Sequence, residues 1–221
     1  MKSAALLYSG RMDWRTPEEY LDLVRAVGPI ALDPATHISN PTKAETFFAP
    51  FDGSLPEVGQ ILGSCGLRAA WPRSGLAFIN PPYGPHLSGP IEAGYIHTKR
   101  CTAHPPDQGY ACTLCDHAGR VTTGIGRGWA ERVAIEKGEW ATLVPSRTDT
   151  VWWHRLAAVA DLIHFWGSPT LGRRIQFLLP DGSRPGGSTL PSTTFYRGPR
   201  AARFAEVFGP HGIVVPGGGA V

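Results

Sequence analysis

Short apolar runs alternate with amphipathic segments along most of this chain. The segment 16–29 begins Thr-Pro-Glu-Glu, continues with apolar side chains at helical spacing and ends in Gly-Pro. This pattern predicts an amphipathic helix. Thr16 is expected to cap the helix and Pro17 to occupy its first position, with acidic residues in the first turn.

The rest of the pattern predicts alternating strands and helices. Strands are expected at 30–32, 76–79, 140–144 and 162–166, with two more strand-like runs at 174–179 and 192–196. Helices are expected at 129–138 and 150–159, with a weak helix or turn at 43–48 and a helix-like piece reaching about 63. This order predicts an α/β sheet with parallel strands that closes in a terminal antiparallel pair. The glycine-rich end, 216–221, is expected to be loose.

The stretch 85–127 interrupts the alternation. It is rich in Gly, Pro, Cys and His and has little periodicity. It is therefore interpreted as a small module inserted into a single domain that spans 1–221.

Two metal-ligand pairs lie in this module, Cys101-x-x-His104 and Cys112-x-x-Cys115, with seven residues between them. Thiolate and imidazole ligands at this spacing suit tetrahedral zinc, and a structural zinc ion would order a stretch with few core-forming residues. His97 and His117 are alternatives to His104. The alternative to zinc is a loop with incidental cysteines.

Composition and charge narrow the class of protein. The chain has 221 residues, of which 42% are apolar and 18% charged, as in a globular domain. The net charge is only +3, so nucleic-acid binding would need a local basic patch. No apolar run is long enough to span a membrane, and the first ten residues do not form a convincing signal peptide.

The cysteines also bear on the compartment. Three of the four lie between 101 and 115, unlike a secreted disulfide framework, and Cys65 is expected to be a buried apolar residue. A cytoplasmic protein without a membrane partner is predicted. The sequence specifies no oligomeric state.

The tetrapeptide Asn80-Pro81-Pro82-Tyr83 follows the buried strand predicted at 76–79. The Asn80 side-chain oxygen and the Pro81 carbonyl can accept the two hydrogens of an exocyclic amine. Prolines fix the backbone and add no competing N–H group, and Tyr83 offers a face for stacking a flat ring. The alternative is an ordinary rigid turn.

Six segments carry a resemblance to a known family. They are Asp-Trp-Arg-Thr-Pro at 13–17, Leu-Asp-Pro-Ala at 32–35 with Asn40, Asp-Gly-Ser-Leu at 52–55, the segment 79–83, the segment 143–153 and Gly-Arg-Arg-Ile-Gln-Phe at 172–177. In this order they resemble the phage-type DNA N6-adenine methyltransferases, which are related to bacterial Dam enzymes and use S-adenosylmethionine. The resemblance covers most of the chain outside 85–127.

The resemblance implies a Rossmann-like methyltransferase sheet, with S-adenosylmethionine at the carboxyl ends of the first strands. The implied contacts of the cofactor are Thr16, Pro17, Asp33, Asp52 and Asn80. Asp33 would meet the methionyl ammonium or a bound water, and Asp52 the ribose hydroxyls or the adenine amine of the cofactor. A turn-forming role is the alternative for both acids, and helix capping for Thr16 and Pro17. The loop after Asp33 lacks the Gly-x-Gly turn of many methyltransferases.

The implied reaction is methylation of adenine N6 in double-stranded DNA, in a bacterial host cell. The base would be flipped out of the duplex and held at positions 80–83. Candidate DNA contacts are the basic residues Lys99, Arg100, Arg120, Arg127, Arg147, Arg173 and Arg174. Alternatives are methylation of cytosine N4, an RNA base or a protein glutamine, and a catalytically inactive zinc-containing DNA-binding protein on the same fold.

Overall fold

The computed structural model describes residues 14–49, 56–63, 66–67, 69–81, 128–179, 181–184 and 191–219. The described helices are α1 (Glu18–Val27), α2 (Ala130–Ile135), α3 (Val151–Val159) and α4 (Ala201–Phe208). The described strands are β1 (Ile30–Asp33), β2 (Thr46–Phe48), β3 (Gln60–Gly63), β4 (Leu76–Ile79), β5 (Glu139–Pro145), β6 (Leu162–Trp166), β7 (Ser192–Arg197) and β8 (Gly212–Pro216).

The described strands form one mixed sheet in the order β3-β2-β1-β4-β5-β7-β6-β8. The first five strands of this order are parallel to one another. β7 is antiparallel to β5 and β6, and β8 is antiparallel to β6. The predicted α/β class is confirmed, and the sheet is compatible with a Rossmann-like fold. The chain builds outward from β1 to β3 and then resumes at β4 on the other side, so its direction of growth reverses between β1 and β4.

Helices cover both faces of the sheet because successive strand residues point to opposite sides. On one face, α1 and α4 bury Val24 and Phe204 in a cluster with Phe78 of β4. On the other face, α2 and α3 pack with Trp153 buried in a cluster that contains Ile79. This three-layer arrangement makes β4 the fully buried centre of the sheet. Within the described residues, no helix has the length and apolarity to cross a membrane.

Several element predictions are confirmed, and others are wrong. The helices and strands expected near 16–29, 30–32, 76–79, 129–138, 140–144, 150–159, 162–166 and 192–196 are present with small shifts in their ends. The weak helix expected at 43–48 is instead strand β2, and the helix-like piece before 63 contains strand β3. Both are short strands stabilised by parallel pairing in the sheet, which local periodicity does not reveal.

The run at 174–179 is not a sheet strand. Its ordered pairing is an isolated antiparallel bridge in which Arg15 and Leu178 exchange both backbone hydrogen bonds at 2.9 Å. The antiparallel end of the sheet is made instead by β7, β6 and β8, of which β8 was not predicted.

The glycine-rich end is held in place at residues 217–219, contrary to the expectation of a loose tail. The amides of Gly217, Gly218 and Gly219 donate to the carbonyls of Asp161, Ala157 and Ala160 at 2.8–2.9 Å. These carbonyls lie at and just beyond the end of α3, where the helix leaves acceptors without intrahelical partners. The tail therefore completes the hydrogen bonding of that helix end.

One buried hydrogen bond joins α1 to the antiparallel strand β7, between the hydroxyls of Tyr20 and Thr194 at 2.6 Å. We predict that Tyr20→Phe lowers the free energy of unfolding by about 1–3 kcal/mol, because it leaves the buried Thr194 hydroxyl without this partner. Urea unfolding of Tyr20→Phe, Thr194→Val and the double variant measures the coupling. The double variant should lose less than the sum of the single variants, and strict additivity would contradict the prediction.

Candidate active site

The candidate site lies where β1 and β4 end side by side. Asp33 is the last residue of β1, and Asn80 follows Ile79, the last residue of β4. The two strands are parallel neighbours, so both side chains belong to the carboxyl edge of the sheet. Sheet growth reverses between these strands, and open α/β sheets bind ligands in the crevice at such a point.

Asn80 is held by a residue that is distant in sequence. Its Nδ2 donates a hydrogen bond to Thr16 Oγ1 at 2.9 Å, across 64 positions of the chain. Thr16 is only 9% exposed, and Pro81 beside Asn80 is also buried. An amide whose nitrogen is bound in this way directs its oxygen to the other side, and that oxygen can accept up to two hydrogen bonds.

The expected capping role of Thr16 is wrong. The cap residue of α1 is Pro17, and the helix start has no side-chain capping bond. The Pro17 carbonyl accepts hydrogen bonds from the amides of Tyr20 and Leu21, both at 3.1 Å. Pro17 thus lies one position before the helix, and the Thr16 hydroxyl is directed to Asn80.

Asp33 is buried and organises the loop after β1. Its exposed fraction is 3%, and its carboxylate accepts hydrogen bonds from the Ala35 amide at 3.0 Å and the Thr42 hydroxyl at 2.8 Å. Burial raises the pKa of Asp33 to about 6, against the opposing effect of these hydrogen bonds and one from Thr36. The carboxylate therefore stabilises the loop after β1 through these hydrogen bonds, and it is mostly ionised at neutral pH.

Asn40 connects the loop after β1 to Ala44 and to Val58, which precedes β3. Its side chain is buried and accepts from Thr42 Oγ1 at 3.2 Å and the Ala44 amide at 3.1 Å, while donating to the carbonyls of Ala44 and Val58. Gly59 has a φ of +78°, and a Cβ there would lie 2.3 Å from the Ala44 carbonyl oxygen. A side chain at this position would disrupt the network.

A second feature of the carboxyl edge is a cavity of about 570 Å³ beyond the end of β6. Its lining includes Trp166, Arg173, Arg174 and Pro191. The indole of Trp166 stacks on His211 with an interplanar angle of 7° and donates to the Gly172 carbonyl at 3.0 Å. The cavity wall is therefore fixed by contacts within the chain.

The predicted basic residues differ in their surroundings. Arg147 is exposed and forms an ion pair with Asp149 at 3.1 Å, which offsets its charge. Arg173 and Arg174 are exposed at the cavity. Lys99, Arg100, Arg120 and Arg127 lie outside the described residues.

Other predicted site residues also lie outside the described part of the chain. They are Asp52, Pro82, Tyr83, Cys101, His104, Cys112 and Cys115, together with Cys65, His97 and His117. Within the part that is described, no group of three or more His, Cys, Asp or Glu could hold a metal ion. The zinc module stays a prediction.

The sequence reasoning missed Thr42 and the hub role of Asn40. One signal was present in the sequence, since Ser39-Asn40-Pro41 is a turn sequence. In the structure Asn40 does adopt a left-handed turn conformation, with a φ of +45°. It also missed the cavity beyond β6, because its lining comes from separate loops that meet only in the fold.

Comparison with protein-family models, with curated proteins and with solved structures finds no match to this chain.

The shifted pKa values of two buried groups predict opposite pH dependences of the free energy of unfolding. Burial lowers the pKa of His164 in β6 from 6.5 to about 4, so the unfolded chain takes up its proton first and stability falls as pH drops from about 6.5 to 4. Asp33 has its pKa raised from 3.8 to about 6, so the folded state retains its proton and stability falls as pH rises from about 4 to 6. Each effect reaches about 3 kcal/mol.

In Asp33→Asn only the effect of His164 remains, so the free energy of unfolding should increase between pH 4 and 6.5. In His164→Gln only the effect of Asp33 remains, so the free energy of unfolding should decrease between pH 4 and 6. Urea unfolding at a series of pH values measures both slopes relative to the parent protein. Parallel pH profiles for the two variants would contradict the assignment of these groups.

Proposed function

We propose that this protein transfers a methyl group from S-adenosylmethionine to the N6 amine of adenine in double-stranded DNA. The proposal combines the resemblance of six sequence segments with one observation. Asn80 stands at the carboxyl end of the central strand β4, beside β1, with its amide nitrogen held by Thr16. A side-chain oxygen set at this point in the sheet is suited to accept a hydrogen bond from a ligand amine.

Several features support a cofactor site of this kind. Thr16, Asp33 and Asn80, which the resemblance implies as cofactor contacts, come from three separate segments and belong to one region of the fold. Asp33 is buried with its oxygens bonded to its own loop, so it suits the positioning of that loop and the attraction of a cationic ligand more than direct contact. S-adenosylmethionine supplies an electrophilic methyl group when bound.

The chemistry then falls to positions 80 and 81. Adenine N6 is a poor nucleophile because its lone pair is delocalised into the ring. Hydrogen bonds from its two N–H groups to Asn80 Oδ1 and the Pro81 carbonyl favour a more tetrahedral nitrogen with an available lone pair. Catalysis is then mainly positioning and electrostatics, without a strong general base, because the amine proton becomes acidic once the nitrogen is methylated.

Thr16 is a positioning residue in this scheme. Without its hydroxyl, the Asn80 amide loses one contact that sets its orientation, and its nitrogen can then face the substrate in place of its oxygen. A face with a nitrogen donor would repel the N–H groups of the adenine amine. Rotational freedom of the amide would therefore lower turnover more than cofactor binding.

Asn80→Ala tests the proposed function directly. We expect it to abolish methyl transfer from labelled S-adenosylmethionine to unmodified duplex DNA, while cofactor affinity by calorimetry changes little. Nucleoside analysis of the product identifies the methylated amine. Label in cytosine, in RNA or in a protein glutamine would replace adenine as the substrate, and full activity of Asn80→Ala would refute the site.

Thr16→Val and Thr16→Ser form a matched pair that tests the positioning role. Valine keeps the shape but removes the hydroxyl, so kcat should fall roughly 10- to 100-fold with little change in cofactor affinity. Serine keeps the hydroxyl and should retain most of the activity. Equal kcat values for the two variants would show that the hydrogen bond to Asn80 does not position the amide.

A further inference from the structure

The segment 172–178 crosses the carboxyl edge of the sheet, and we call it the basic strap. It begins next to the cavity beyond β6 and reaches Leu178, which is bridged to Arg15 immediately before Thr16. The strap therefore connects the cavity with the chain that holds Asn80.

Three contacts fix the path of the strap. At its start the Gly172 carbonyl accepts a hydrogen bond from the Trp166 indole at 3.0 Å. In its middle Ile175 is only 2% exposed and belongs to the core cluster of α1 and α4. At its end Leu178 and Arg15 exchange two backbone hydrogen bonds of 2.9 Å. A backbone held in this way presents adjacent side chains at a fixed place.

Arg173 and Arg174 are presented there without a carboxylate partner among the described residues. Both are exposed, and both line the cavity, where no acidic residue is found among the described lining residues. Most other arginines of the described part do form ion pairs: Arg25, Arg132, Arg147, Arg155, Arg184, Arg200 and Arg203. Two adjacent guanidiniums whose charge is not offset form a local anion-binding surface on a chain of low net charge.

The distance between this surface and Asn80 indicates which anion the surface would meet. In the sheet, β6 is three strands from β4, in the order β4-β5-β7-β6. Three strand spacings amount to about 14 Å. This corresponds to about four base-pair steps of B-DNA. A duplex that lies along this edge of the sheet, with its target base in the crevice at β4, would have backbone phosphates near the end of β6.

We propose that the basic strap binds the sugar-phosphate backbone of the DNA beside the target adenine, with Arg173 and Arg174 as its phosphate ligands. This inference rests on the proposed function for its ligand and extends it to a surface separate from the amine site. The strap contacts phosphates and not base edges, so it contributes affinity and register without sequence preference.

The test compares Arg173→Gln/Arg174→Gln with Arg73→Gln/Arg197→Gln. The control removes the same charge at the opposite edge of the sheet, because Arg73 precedes β4 and Arg197 ends the antiparallel strand β7. Neither control arginine forms an ion pair within the described residues. Fluorescence anisotropy with a labelled duplex gives DNA affinity over a range of salt concentrations, and calorimetry gives the affinity for S-adenosylmethionine.

The strap variant should bind DNA at least tenfold more weakly than the control at low salt. The slope of log affinity against log salt concentration should be smaller in magnitude by about 2 than that of the control, since two phosphate contacts are lost. Cofactor affinity should be unchanged. A strap variant that matches the control in DNA affinity and salt slope would refute DNA binding by the basic strap. The absence of DNA affinity in the parent protein would refute it as well.

The outcomes separate the strap from the proposed function. Strap-dependent DNA binding by a parent protein that methylates no DNA supports the strap and refutes the function. Methylation by the parent with a strap variant equal to the control supports the function and refutes the strap.

Discussion

The candidate site depends on one hydrogen bond, from Asn80 Nδ2 to Thr16 Oγ1. It joins the end of the central strand to the segment before α1, and it directs the Asn80 amide nitrogen to Thr16. Both partners are positioned by larger elements: Asn80 by the buried strand β4, and Thr16 by the packing of α1 and the bridge between Arg15 and Leu178. A short polar contact is thereby supported by the fold on both sides.

A second level of order surrounds this bond. The buried carboxylate of Asp33 and the buried amide of Asn40 share the Thr42 hydroxyl, and together they fix the loop that follows β1. Buried polar groups are costly unless they are bonded, so such a network specifies one loop conformation. This explains how a loop without the Gly-x-Gly turn can keep a defined shape beside Asn80.

The sequence predicts the centre of this architecture well and its connections poorly. The apolar run of β4, the acid at the end of β1 and the amphipathic face of α1 are local patterns, and all three elements are present. β2 and β3 have three and four residues, and their strand character comes from pairing with neighbours in the sheet. The helical spacing of Phe204 and Phe208 could have indicated α4.

The roles of single polar residues show the same division. Thr16 before Pro17 fits the local pattern of a helix cap, yet its hydroxyl bonds a residue 64 positions away. Arg147 fits a basic surface by sequence, yet Asp149 pairs with it. Such competition between local and distant partners is decided by tertiary packing.

The most direct measurement of the central claim is the sequencing of modified bases in DNA from cells that express the protein, beside cells that express Asn80→Ala at the same level. We expect N6-methyladenine at a defined sequence in the first DNA and its absence from the second. Unmodified adenine in both, with folded protein present, would contradict it.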